Sequence, residues 1–267
     1  MIRAHFGLDK PPFSSESIDL LPHQQEVLDT LRVHSQQGGL CLIVGEPGTG
    51  KSVIKHALCT HDPKRLLTPV VNRTLHTYHS VLRILCQAFQ IETHGRDFKC
   101  EKRLIEEAHK QNKSGKMLAP IIDDAHLMPT AALRRLRLVF EDFPKNHNLV
   151  LLGQPQLLYT LSLTVNEDIR SRATYSVKLA KLAPDDMRAW VLRELDRVTL
   201  AHNVFTPEAL DLIVRSGEGI LRRTRNLCVS GLLEAVRDRV RVVDLKQVNR
   251  VLLQPHWRQQ HDVPDLP

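Results

Sequence analysis

The run Leu42-Ile43-Val44-Gly45-Glu46-Pro47-Gly48-Thr49-Gly50-Lys51-Ser52 constrains this chain more than any other stretch. It reads as a hydrophobic strand, a glycine-rich turn and the first turn of a helix. The pattern G-x-x-x-x-G-K-[ST] is that of a phosphate-binding loop. Gly48 and Gly50 allow backbone angles and close approaches that a β-carbon blocks. The N–H groups of such a loop point inward at an anion, at the positive end of the helix that follows. Gly45, Glu46, Pro47, Gly48, Thr49, Gly50, Lys51 and Ser52 are therefore the candidate nucleotide-binding residues. Lys51 is expected to reach the outer phosphates of ATP, and the Ser52 hydroxyl to sit on Mg²⁺. A plain surface turn would explain neither Lys51-Ser52 nor the hydrophobic strand before it.

The loop sits in a chain of 267 residues, long enough for one large domain or a medium and a small one. Hydrophobic residues make up 42% and charged residues 25%, ordinary for a globular protein. Aromatics are only 4%, so the core must be built from Leu, Val, Ile and Ala. No apolar run approaches the ~20 residues of a membrane helix. No apolar segment of the signal-peptide kind follows Met1-Ile2-Arg3-Ala4-His5. The cysteines Cys41, Cys59, Cys86, Cys100 and Cys228 are scattered with no C-x-x-C pair, which argues against a disulfide or zinc framework. The expected compartment is the cytoplasm. A net charge of +7 points to a polyanionic partner, nucleic acid first, with an indifferent basic surface as an equal alternative.

Along the chain, strands are expected at 40–44, 66–71, 117–122, 149–152 and 174–179, alternating with helices at 23–34, 51–59, 78–89, 102–113 and 130–140. That alternation predicts an α/β fold, a parallel sheet with helices on both faces. After residue 183 only helices follow. Thr206-Pro207-Glu208 opens one with a threonine cap and a first-turn proline, and Asp244 caps another. The expected domains are an α/β nucleotide-binding domain at 1–183, a small helical lid at 184–254 and a disordered tail at 255–267.

A phosphate loop that hydrolyses ATP needs a carboxylate at the end of a neighbouring strand. Met117-Leu118-Ala119-Pro120-Ile121-Ile122-Asp123-Asp124-Ala125-His126 supplies a buried strand ending in two acids. Asp123 is expected to hold the magnesium shell and Asp124 to polarise the attacking water. With His5-Phe6-Gly7-Leu8, Pro12-Phe13 and Leu151-Leu152-Gly153-Gln154-Pro155-Gln156-Leu157, these motifs make the chain resemble the ExeA-like branch of AAA+ ATPases over residues 4–253. The resemblance implies a P-loop AAA+ domain followed by a helical lid, and self-association into rings or filaments with ATP at subunit interfaces. It also implies that Gln154 is the polar sensor on the fourth strand. Arg172 matches the arginine that reaches a neighbouring subunit's site, with Arg170 the close alternative, and Arg222 matches the lid arginine that senses the γ-phosphate.

Two positions depart from the family. Asp124 stands where the branch usually has glutamate, one methylene shorter, so its oxygen lies about 1.5 Å further back. Slow hydrolysis is expected, since in-line geometry is demanding. Leu221 stands where proline often precedes the lid arginine. For DNA, the expected contacts are Arg73 and Thr74 in the polar segment 72–79, and Arg134, Arg135 and Arg137 on the helix after the acids. A solvated helix face is the competing reading for those arginines.

Members of the branch serve secretion or pilus assembly, usually with a membrane helix and a wall-binding domain, or transposition. Chain length, basic charge and the lack of a membrane segment make this chain most similar to the short transposition ATPases of the TniB, TnsC and Mu B kind. The expected partners are then double-stranded DNA, a transposase and further copies of the chain, and no membrane. A nucleotide-gated scaffold with negligible turnover is a third reading. A metabolic P-loop kinase is disfavoured by the helical lid.

Overall fold

The computed structural model describes residues 1–14, 19–72 and 77–257. Contacts divide the chain into two units: Ile18–Glu46 with Gly50–Leu179, and Met1–Ser17 with Pro47–Thr49 and Ala180–Pro267. Each is a separate packing problem with its own core.

The α/β unit is organised by β1 (Gly39–Val44). Its residues alternate between two hydrophobic cores, as a strand buried on both faces requires. Leu40, Leu42 and Val44 pack with the core on one face, and Cys41 and Ile43 with the core on the other. β6 (Asn148–Gly153) behaves the same way, with Leu149 and Leu151 on the first face and Val150 and Leu152 on the second. The remaining strands are β2 (Leu66–Leu67), β3 (Val70–Val71), β4 (Met117–Leu118), β5 (Ile121–Ile122) and β7 (Ala173–Lys178). β3, β5, β6, β1 and β7 form a five-stranded sheet in that order, and every pairing is parallel. β2 pairs in parallel with β4.

The expected strands 66–71 and 117–122 are each divided in two. Pro69 and Pro120 interrupt them, because proline has no N–H to give to a ladder. Their carbonyls still serve: Ile121 N–H donates to Pro69 O and Val150 N–H to Pro120 O, each at 2.9 Å. Pairing thus continues up to Asp123, whose N–H donates to Val71 O at 3.0 Å.

Helices α2 (Pro22–Gln37), α3 (Lys51–His61), α4 (Tyr78–Ala88), α5 (Asp97–Lys113) and α6 (Thr130–Glu141) follow the apolar spacing of the sequence. On α6, Leu133, Leu136 and Phe140 are buried. Two short helices were not expected, α7 (Gln156–Ser162) and α8 (Glu167–Arg170), both too short to show a clear period.

The second unit is helical. It comprises α1 (Ile2–Phe6), α9 (Pro184–Asp196), α10 (Pro207–Gly217), α11 (Leu221–Asp238) and α12 (Leu245–Leu252). The Thr206 hydroxyl accepts the Ala209 N–H at 3.2 Å, and the Asp244 carboxylate accepts the Lys246 N–H at 2.8 Å, both as cap residues. The amino-terminal segment belongs here and not with the sheet, which corrects the expected boundary at 1–183. Leu8 and Phe13 are buried in the helical core, and His5 Nε2 lies 2.8 Å from Val240 O. Residues 255–257, expected in a disordered tail, form a 3-10 turn, and Trp257 packs on the same core. The rest of that expected tail, 258–267, lies outside the described residues. No helix among the described residues is long and apolar enough to cross a membrane.

All five cysteines are free, and burial pushes the Cys41 thiol up to about 11 and that of Cys86 to about 12, which makes both inert. His147 is a half-buried titratable group. Its ring stacks on Phe140 at 6.0 Å between centroids, and its Nδ1 lies 2.7 Å from Pro144 O. Burial holds its pKa below the ordinary histidine value. The folded state therefore keeps His147 neutral, while the unfolded chain takes up a proton near pH 6.5. Stability from this residue is complete above that pH and is lost as the pH falls towards the lower folded value. Urea midpoints at pH 7.5 and 5.5 should differ less for His147→Gln than for the wild type, and an equal difference would show that His147 carries none of the slope.

Candidate nucleotide site

The sheet order brings the expected ATP-site residues to one carboxyl edge. β6 lies between β5 and β1, with Ile122 opposite Leu151 and Val44 opposite Gly153. The chain therefore leaves β1 at Gly45, β5 at Asp123 and β6 at Gln154 side by side. Gly45 N–H donates to Gly153 O at 3.1 Å and fixes the first residue of the loop. Lys51, at the first position of α3, turns back and donates to Gly45 O at 2.6 Å and Glu46 O at 2.9 Å. Its ammonium is held across the loop, where it would be available to bind phosphate oxygens. Ser52 follows on the exposed first turn of α3.

Gly48 and Gly50 have φ of +91° and +105°. A β-carbon at Gly48 would lie 2.7 Å from Arg222 Cβ and 2.9 Å from Ile220 Cγ2. This position admits no side chain, because Ile220 and Arg222 pack directly against it. Arg222 N–H donates to Gly48 O at 3.2 Å. The donor set also suits Mg²⁺, a hard cation served by hydroxyl and carboxylate oxygens such as those of Ser52 and Asp123.

The two acids differ in setting. Asp123 is largely buried, its Oδ1 accepts the Asp124 N–H at 3.0 Å, and its Oδ2 lies 2.7 Å from Lys55 Nζ. Asp124 has φ +50° and ψ +35°, the left-handed region that aspartate tolerates better than most residues. Its side chain is 55% exposed, with His126 Nδ1 3.9 Å from Oδ1. Lys55 had no place in the sequence reading. The signal was its position four residues after Lys51, which puts both on one side of α3.

The arginines are heavily engaged. Arg134 forks onto Asp168, with Nε 2.7 Å from Oδ2 and Nη2 3.1 Å from Oδ1, and it also donates to Val165 O at 2.9 Å. The Arg134 hydrogen bond holds the Asp168 carboxyl below the usual carboxylate range. Arg135 lies 2.9 Å from Glu101 Oε1 and stacks 3.9 Å over the Tyr78 ring. Arg137 lies 2.8 Å from Glu141 Oε1. A phosphate at this face must compete with Asp97, Glu101, Glu141 and Asp168. Arg172 is 61% exposed and reaches Glu141 at 3.2 Å, whereas Arg170 pairs with Glu167 within its own short helix. Arg73 and Thr74 lie outside the described residues.

The helical unit holds a cavity of about 790 Å³. Its walls include Phe13, Pro47, Arg222, Arg223, Arg225 and Trp257. Aromatic faces beside guanidinium groups suit a planar, anionic ligand. Sequence reasoning missed Phe13 and Trp257 here, because both are remote along the chain from α11.

A parallel sheet in the order β3-β5-β6-β1-β7, a glycine-rich loop after β1 and an acid pair after β5 define the AAA+ P-loop ATPase fold. Residues 33–161 match the family described as AAA domain. The chain is similar to general secretion pathway protein A of Aeromonas hydrophila, 30% identical over 248 residues. That match takes in 88% of this chain, which spans only 45% of the relative's length. Among solved structures, the ORC2 protein of Aeropyrum pernix in its ADPNP–ADP complexes superposes with a TM-score of 0.70 at 15% identity, covering 96% of this chain and 74% of that one. Cdc6p of Pyrobaculum aerophilum gives 0.69 at 16% identity, with 86% and 67% covered. The A. pernix ORC1 protein in complex with DNA gives 0.68 at 17%, with 89% and 67% covered.

Proposed function

We propose that this protein is an ATP-dependent DNA-binding ATPase that assembles on duplex DNA and recruits or activates a transposase, with slow hydrolysis governing release. The observation that carries the ATP part is the convergence of Lys51, Ser52, Asp123, Asp124 and Gln154 on one sheet edge. ATP and Mg²⁺ are the ligands that this set fits. Lys51 and the loop amides bind the phosphates, Ser52 and Asp123 hold the metal, and Asp124 orients the water. Arg222 contacts the nucleotide, and Arg172 serves a neighbouring copy in a ring or filament.

The DNA part is supported by the net charge of +7. The fold is shared with an ORC1 protein whose structure was solved with DNA. Arg73, Thr74, Arg134, Arg135 and Arg137 are the proposed contacts, and exchange of Arg135 from Glu101 to a phosphate is the step that they require. Affinity should come from phosphates, so sequence preference should be weak and salt dependence steep.

The similarity to general secretion pathway protein A favours a second reading, an ExeA-type ATPase serving secretion or pilus assembly. One experiment separates them: ATP hydrolysis with and without plasmid DNA, alongside electron microscopy of the same mixtures. DNA-stimulated hydrolysis and ATP-dependent coating of the plasmid are expected. ATP hydrolysis indifferent to DNA, with no coating, would overturn the DNA reading in favour of the secretion one. Tight ATP binding without turnover would indicate a nucleotide-gated scaffold.

A further inference from the structure

Asp123, the acid assigned to the metal, already has a cation. Lys55 Nζ lies 2.7 Å from its Oδ2, and the side chains of the pair are 19% and 18% exposed. The same ammonium donates to Asn72 Oδ1, also at 2.7 Å. An ammonium has only donors, so the amide oxygen of Asn72 must face it. The other carboxylate oxygen, Oδ1, is taken by the Asp124 N–H at 3.0 Å. Asn72 follows β3 directly and is the last described residue before segment 73–76, in which the sequence reading placed DNA contacts.

We propose that Lys55 is a positioning residue that competes with the metal. Its ammonium neutralises Asp123 until Mg²⁺ arrives with nucleotide, and Asn72 retains it once it is displaced. The reasoning is electrostatic. A carboxylate this shielded is costly to leave unpaired, so a fixed ammonium stabilises the metal-free state. A divalent ion entering the same oxygen must push that ammonium aside, which raises the Mg²⁺ concentration needed. Asn72 already accepts from that ammonium and so leaves it one acceptor when the metal takes Asp123, which lowers that cost. This inference rests on the proposed ATP reading and deepens it.

The test is binding, not turnover: uptake of a fluorescent ATP analogue by the full chain as Mg²⁺ is titrated. For Lys55→Met the half-point in Mg²⁺ should fall at least about fivefold, while Lys55→Arg keeps the wild-type half-point. Asn72→Ala should raise the half-point about two- to threefold. The double variant should match Lys55→Met alone, because Asn72 acts only through Lys55. Thermal melts report whether each variant folds, and Lys55→Gln replaces Lys55→Met if the latter does not. An unchanged or raised half-point on loss of the ammonium, or an additive Asn72 effect, would overturn the proposal. If the wild type takes up no nucleotide at any Mg²⁺ concentration, the ATP reading itself fails, an outcome visible before any variant is compared.

Discussion

Lys51→Ala is expected to weaken ATP binding by about 100-fold, on the order of 3 kcal/mol, the upper range for a hydrogen bond to a charged group. The lysine is already poised. Its ammonium spans the Gly45 and Glu46 carbonyls at 2.6 and 2.9 Å, so little side-chain freedom is left to lose when phosphate arrives. Those carbonyls are weak partners beside a triphosphate, and the exchange favours the ligand. The fold should survive, because the core around α3 is carried by Ile54 and Leu58, not by Lys51. Calorimetry with Mg-ATP, alongside a thermal melt, checks both statements. Wild-type affinity in a folded Lys51→Ala protein would mean that the loop does not grip phosphate through this ammonium.

Asp124 carries the second large effect. Asp124→Asn removes the group proposed to orient the attacking water, and general-base losses run to about 10²–10⁴ in rate. Nucleotide affinity should hardly change, since the carboxylate is 55% exposed and is assigned to the water alone. Asp124→Glu lengthens the side chain by one C–C bond, about 1.5 Å, and restores the family's usual reach, so it should speed hydrolysis. It carries a structural cost: residue 124 has φ +50°, a conformation glutamate tolerates less well than aspartate. The glutamate variant is therefore expected to be the faster and the less heat-stable protein. Single-turnover hydrolysis and melting temperatures measure the two effects. Wild-type turnover in Asp124→Asn would remove the residue from the chemistry.

Much of this architecture was legible because local patterns are strong where both faces of an element are buried. The apolar run Leu40–Val44 has no polar face to present, so it must be a central strand, and the turn after it has few ways to fold. The caps at Thr206 and Asp244 were equally local, each an oxygen within reach of an N–H two or three residues on. Division of the neighbouring strands at Pro69 and Pro120 escaped because the apolar pattern runs straight through both prolines. The partner of the amino-terminal segment was illegible for another reason. Phe6, Leu8 and Phe13 announce burial, and a hydrophobic side chain is non-directional, so nothing in it says which core it joins.

The arginines show the same limit for charge. A run such as Arg134-Arg135-Leu136-Arg137 reads as a basic face, yet Asp168, Asp97 and Glu101, the carboxylate partners of Arg134 and Arg135, lie more than thirty residues away. Lys55 and Asp123 likewise meet only because β5 ends, and the helix after β1 begins, at one edge.

Sequence alone determined the phosphate loop, the acid pair, the parallel α/β class and the switch to helices near residue 183, since each is written in neighbouring residues whose backbone and burial preferences agree. Tertiary structure decided which charges meet and which core each end of the chain enters. Coulombic and hydrophobic contacts act between groups that are close in space, and folding sets that closeness between residues remote along the chain.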